Sequence, residues 1–334
     1  MAVSRSVVVA LRRRAEADAS SSQGGAQLQD LLQARLRRCV ALLPRVFAED
    51  DPEAVHDLRV WSRRAQEVVV TLFGKPLPPE ARTTVRVLRR ARRSLGVCRD
   101  CDVLIELLGR KARRIRNQAE KRAWEMIREY ALSRRERQMR RVMRKLANRK
   151  LFTLGQRARQ LTEQAAQRGD LQPAALITKL VTSVRSGYTE WREALSRACQ
   201  SFAPGEIHAF RIRTKRLRYR IELVRDLGDG GAEAALTSLR LLQEGLGQWH
   251  DHSQLGKLAA EALADPRFLQ EQPQVAGLVL RKLARDHALQ GERIRRLLTD
   301  ARESAEGSAL NNWVNRFCAE TAPQANASSP ALID

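Results

Sequence analysis

Two short segments hold the residue types most able to do chemistry. Residues 52–64 read PEAVHDLRVWSRR, and residues 204–216 read PGEIHAFRIRTKR. At an offset of 152, Pro52/Pro204, His56/His208, Arg59/Arg211 and Arg64/Arg216 are identical. On a helix turning about 100° per residue, His56, Arg59 and Arg63 share one stripe. His208, Arg211, Lys215 and Arg218 share another. Cations gathered on one face repel each other until an anion bridges them. A proline in the first turn starts a helix whose free N–H groups and dipole also favour an anion. One such helix could be a plain solvated basic face; two copies of it point to an anion site.

A second pair follows each of these at an offset of 151: RRSLGVCRDCDVL (92–104) and QEGLGQWHDHSQL (243–255). Leu95/Leu246, Gly96/Gly247 and Asp100/Asp251 are identical. Arg89, Arg92 and Arg99 stand where the second half has Arg240, Gln243 and His250. Phosphate accepts donors from both Arg and His, whereas a metal ion does not accept Arg. That argues against a metal role common to both halves. The glycines read as close approaches of helices or as turns. Asp100 and Asp251 read either as N-caps of a following helix or as partners holding a nearby cation, with capping preferred.

Positioning these residues needs long helices, and the chain is built for them. Its 334 residues carry 61 Lys+Arg, 38 Asp+Glu and a net charge of +23. Fifty-two of the basic residues are Arg and nine are Lys, and Arg is suited to bidentate phosphate contacts. This charge calls for a polyanionic partner. Only 15 residues are aromatic, which weakens a base-stacking, single-strand reading. Apolar residues recur at helical spacing, as in Leu28, Leu31, Leu32, Leu36, Val40 and Leu43. Sustained two-residue alternation is absent. The expectation is an all-α protein of two pseudo-symmetric four-helix bundles formed by an internal duplication. The halves are placed at 26–165 and 171–320, with tails at 1–25 and 321–334. No apolar run suits a membrane span or a signal peptide, so a soluble, cytoplasmic protein is expected. Five scattered cysteines argue against a disulfide framework.

Taken together and doubled, VHDLRVWSRR, SLGVCRDCDVL, IHAFRIRTKRLRY and GLGQWHDHSQL resemble the CHAD family, the conserved histidine α-helical domain. The resemblance covers most of residues 26–320. It implies two four-helix bundles about a pseudo-twofold axis and a basic central cavity that binds inorganic polyphosphate. Carried over by position, the ligands would be His56, Arg59, Arg63, Arg64, His208, Arg211, Lys215, Arg216 and Arg218, followed by Arg99 and His250. Arg89, Arg92 and Arg240 complete the candidate set. No E-x-E-x-K motif of a fused triphosphate-tunnel domain occurs, so a stand-alone, non-catalytic binder is expected, and the resemblance implies targeting to polyphosphate granules. Catalytic residues, metals and cofactors are not expected.

Polyphosphate has no bases to read and presents a row of charges, which suits a row of cations. Residues 82–150 hold 24 basic and seven acidic residues and could extend the anion track. Two alternatives remain. One is a basic helical nucleic-acid-binding module. The other is a metal-dependent phosphohydrolase using His208, His250, Asp251 and Asp286. Cys98 and Cys101 read as ordinary thiols, His287 as a surface residue, and Trp124, Trp191, Trp249 and Trp313 as core.

Overall fold

The computed structural model describes residues 22–48, 50–146, 151–169, 171–271 and 273–319. In chain order the helices are α1 (Ser22–Ala41), α2 (Leu43–Phe47), α3 (Pro52–Phe73), α4 (Pro79–Ser94), α5 (Gly96–Arg113), α6 (Gln118–Leu146) and α7 (Leu154–Gln167). There follow α8 (Pro173–Ser201), α9 (Pro204–Asp226), a 3₁₀ turn at Gly230–Ala232, α10 (Glu233–Leu263), α11 (Pro266–Glu271), α12 (Pro273–Glu303) and α13 (Ala309–Ala319). No strand occurs among the described residues. The proposed tails fall largely outside them, although α1 already begins at Ser22, inside the segment assigned to the N-terminal tail.

The punctuation is local chemistry. Asp51 caps α3 by accepting from the Glu53 and Ala54 amides at 2.8 and 3.3 Å, and Pro52 takes the first turn. Gly74 ends that helix at φ +67°, in the region open to glycine. Pro204 opens α9 in the same way as Pro52 opens α3.

Helices α1, α3, α4 and α7 pack as one bundle, and α8, α9, the first half of α10 and α13 as another. Direct contact between α3 and α9 joins their cores into one apolar mass, with Leu32, Leu58 and Leu88 on one side and Phe210, Leu246 and Trp313 on the other. Each fully buried side chain of this size contributes about 1.5–3 kcal/mol. The same order of elements recurs in each half: α3, then α4–α5, then α6 against α9, then α10, then α12.

A separate core lies outside both bundles. Leu104 and Leu108 of α5, Trp124 and Ile127 of α6, and Leu255, Leu258 and Ala262 of α10 form it with Val279 of α12. Both halves therefore send helix ends into a shared third cluster. Trp124, Trp191, Trp249 and Trp313 are all buried, as expected, and His287 is exposed.

Buried and half-buried ion pairs lock α3 to α9 and α1 to the end of α9. Arg220 lies 3.3 Å from Glu67, Arg64 lies 3.0 Å from Glu222, and Arg35 lies 2.6 Å from Asp226. Arg220 runs across Gly187 of α8, where a Cβ would collide with its guanidinium, and donates to the Ser183 carbonyl at 2.7 Å.

Candidate anion-binding site

Five helices contribute the site, three from the first half and two from the second. From α3 come His56, Arg59 and Arg63; from α4–α5 come Arg92, Arg99 and Asp100. From α9 come His208, Arg211 and Lys215; from α10 come His250 and Asp251. Small residues let α3 and α9 sit deep. Ser62 and Thr214 are fully buried and turn their hydroxyls back onto their own helices, at 2.9 Å to the Arg59 and Phe210 carbonyls. Thr214 also accepts from the Trp191 indole at 3.1 Å. Contact between α3 and α9 brings the two stripes together.

The two stripes share one electrostatic neighbourhood. Lys215, near the centre, is pulled down to about 6, first by burial and then by Arg211, Arg63, Arg59 and Arg218. Arg59 and Arg92 each fall to about 10, again by burial first and then by cations. Burial, followed by Arg99 for His56 and by Arg211 for His208, holds both imidazoles below the ordinary histidine value. His250 is pushed to about 3 by burial, Arg211 and His208, and its ring centroid lies 5.6 Å from that of His208. The cluster is therefore a set of cations kept close against their mutual repulsion.

Some of its donors have nothing to bond. Arg92 Nη1 and Arg211 Nε are buried without a hydrogen-bond partner among the described residues. Arg218 Nε lies 3.3 Å from Glu222 Oε1 but outside hydrogen-bond alignment. Buried charged donors are normally satisfied, and leaving one unmade is costly. Other bonds fix the frame: Arg59 donates to the Arg92 carbonyl at 2.5 Å, and Arg92 Nη2 donates to Gln66 Oε1 at 2.8 Å. Gly96 makes room for Arg59, whose guanidinium would lie 3.3 Å from a Cβ there. Gly247 has open space around it and serves no close approach.

The preferred reading of Asp100 and Asp251 as N-caps is overturned. Both lie inside helices. The expected turn at Leu95–Gly96 is only a kink, across which Leu95 and Arg99 still bond to Ala91 and Leu95 at 3.1 Å, and α10 has no break at all. With no helix beginning just after either aspartate, the carboxyls instead face cations. Asp100 faces Arg59, Arg211 and Lys215, and Asp251 faces Arg211 and Lys215; burial is the larger influence and raises both above the usual range.

Not every candidate joins the cluster. Arg64 pairs with Glu222 and lies over the Trp61 ring at 4.9 Å. Arg216 is set among Glu67, Glu190, Arg213 and Arg220. Arg240 pairs with Glu233 at 2.7 Å on the outer face of α10. These three stand beside acids outside the cluster, because one helical stripe cannot hold every residue of a motif. Arg89 stands beside Arg92 at the edge, and Arg218 borders Lys215. Lys257, near His208 and His250, was not read from the sequence. Its spacing of seven from His250 places it two turns along the same face, and that spacing was the available signal.

The phosphohydrolase set does not converge. Asp286 is held by Lys111 at 2.6 Å in a different part of the molecule. Among the described residues no group of three or more His, Cys, Asp or Glu side chains could hold a metal ion. Cys98 and Cys101 are buried free thiols raised to about 12 and about 11 by burial.

The sequence model of the CHAD domain matches residues 30–260, more than half of the chain. This chain belongs to the CHAD family. Its fold is similar to that of the CHAD domain crystal structure from the plant Ricinus communis, with a TM-score of 0.58 over 92% of this chain and 94% of that one, at 22% identity. No curated protein matches the sequence. Among the described residues, no helix of this CHAD protein is long and apolar enough to cross a membrane.

Proposed function

We propose that this CHAD protein binds inorganic polyphosphate, without catalysis, in the basic cluster between α3 and α9. One observation carries the reading. Histidine–cation stripes 152 residues apart in sequence meet around Lys215, with buried guanidinium donors left unsatisfied. A flexible polyanion relieves the repulsion and supplies acceptors to those donors. Arg59, Arg63, Arg92, Arg99, Arg211 and Lys215 supply the charge, and His56, His208 and His250 become donors to phosphate once protonated.

Helix α4 gives the polymer a way out. Beyond Arg92 it exposes Arg82, Arg86, Arg89, Arg90 and Arg93. Its single acid, Glu80, is taken by Arg157 at 3.0 Å. Ten residues at about 1.5 Å each give about 15 Å of track from Arg92 to Arg82. The matching stretch of α10 has only the paired Arg240, so the two halves contribute unequally.

The deciding experiment is competition at fixed salt between long-chain polyphosphate and single- or double-stranded nucleic acid. Polyphosphate is expected to win per unit charge, and Lys215→Ala is expected to weaken it. Equal affinity per charge for all three polymers would instead favour a general polyanion or nucleic-acid binder. Localisation on polyphosphate granules in the cytoplasm follows from the same reading and is checked by imaging the wild type beside Lys215→Ala. Absence of phosphate release from polyphosphate, with and without added divalent metals, checks the non-catalytic part.

A further inference from the structure

A second cleft opens where α5, α6, α10 and α12 meet, beside the shared third core. It encloses about 630 Å³, within the range of about 300–1,000 Å³ usual for small-molecule sites. It faces away from the basic cluster: His252 lines the cleft, while His250, two residues earlier and about 200° round the helix, belongs to the cluster.

The charges in the cleft are unbalanced. Its two acids are already engaged. Glu120 is held by Lys282 at 2.5 Å and by the Trp124 indole at 3.2 Å, and Asp286 is held by Lys111 at 2.6 Å. Three arginines are left over. Arg110 has only Glu106, at 3.9 Å, with both side chains more than half exposed, a pair of little strength. Arg114 and Arg285 have no ion-pair partner among the described residues. Against these cations lies an apolar wall of Leu107, Ile115, Leu255 and Leu289, the last 45% exposed.

We propose that this cleft binds a nucleotide, with its phosphates on Arg110, Arg114 and Arg285 and its ring system on the leucine–isoleucine wall. An inorganic anion uses only the arginines and leaves the wall wet. A purely apolar ligand leaves the arginines unmatched. A nucleoside polyphosphate covers both, and arginine is well shaped for its terminal groups. The proposal does not depend on polyphosphate binding, since it uses other residues on another face.

The test titrates ATP, adenosine and inorganic triphosphate into the full chain by calorimetry, and repeats the series with Arg114→Ala combined with Arg285→Ala. These side chains are exposed, so folding should survive; a thermal melt checks it. The double variant is expected to lose about tenfold or more in ATP affinity, as loss of two charge-assisted contacts implies. Inorganic triphosphate held in the basic cluster between α3 and α9 should keep its affinity, since neither arginine belongs to that cluster. The His252 ring resonance should shift with ATP and not with triphosphate. Failure of ATP to bind, unchanged ATP affinity in the double variant, or an unmoved His252 signal at saturation overturns the proposal.

Discussion

The imidazoles of His208 on α9 and His250 on α10 lie 5.6 Å apart, centroid to centroid, with their planes tilted by 38°. Neither has a carboxylate as its leading neighbour. Burial comes first for both, followed by Arg211. The pair is thus a proton acceptor waiting for an anion to make protonation favourable.

Proton uptake should accompany polyphosphate binding. Both histidines start below the ordinary value, His250 at about 3, and a bridging anion raises them. NMR titration of the ring protons with and without polyphosphate measures this directly. Histidine values that stay put at saturation exclude an anion at the cluster.

Affinity should fall as pH rises. Lys215 in the free protein titrates near 6, so above that pH binding must first restore its proton. One coupled proton changes affinity by up to about tenfold per pH unit. Binding curves at pH 6, 7 and 8 check this, and a flat profile contradicts it.

Lys215→Met should stabilise the free protein at low pH. The folded form holds fewer protons than the unfolded chain between about pH 6 and the ordinary lysine value near about 10.4. Wild-type stability therefore rises with pH through that window, and the charged lysine costs most at its acid end. The variant should be more stable than wild type at pH 6, with the gap narrowing towards pH 10. Urea melts at the two ends measure it; a variant less stable at pH 6 refutes it.

Replacing Arg82, Arg86, Arg90 and Arg93 together by Ala should affect long chains only. By analogy with DNA, each lost phosphate contact lowers the slope of log K against log salt by about 0.7–0.9. Short polyphosphate held within the cluster should bind as before. Loss of affinity at every chain length would mean that α4 is not an exit track.

The Glu67–Arg220 pair should matter more broken than absent. The two side chains are 5% and 9% exposed. Glu67→Leu alone strands a buried guanidinium and should cost about 3–5 kcal/mol. Adding Arg220→Met should recover most of it. Chemical denaturation of the two singles and the double gives the coupling, and simple additivity would show that the charges do not depend on each other.

The all-α class, the helix breaks at Asp51–Pro52, Gly74 and Pro204, and the two histidine–arginine stripes were all readable in the chain. Each is a local matter: a cap, a proline, a glycine, or side chains three and four apart on one helix. The sequence also named most of the cluster, because repetition marks the same stripe twice. Tertiary structure decided which motif residues face inwards. Arg64 and Arg240 share the motifs of Arg59 and His250 but pair with Glu222 and Glu233, and Arg216, next to Lys215, sits among Glu67, Glu190, Arg213 and Arg220, neighbours that spacing along one helix does not reveal. It also decided that Asp100 and Asp251 sit within helices rather than at their starts, since whether a Leu–Gly step kinks or breaks depends on what packs against it. The third core and the nucleotide-sized cleft beside it depend on α5, α6, α10 and α12 coming together from opposite halves of the chain, and no local pattern encodes that meeting.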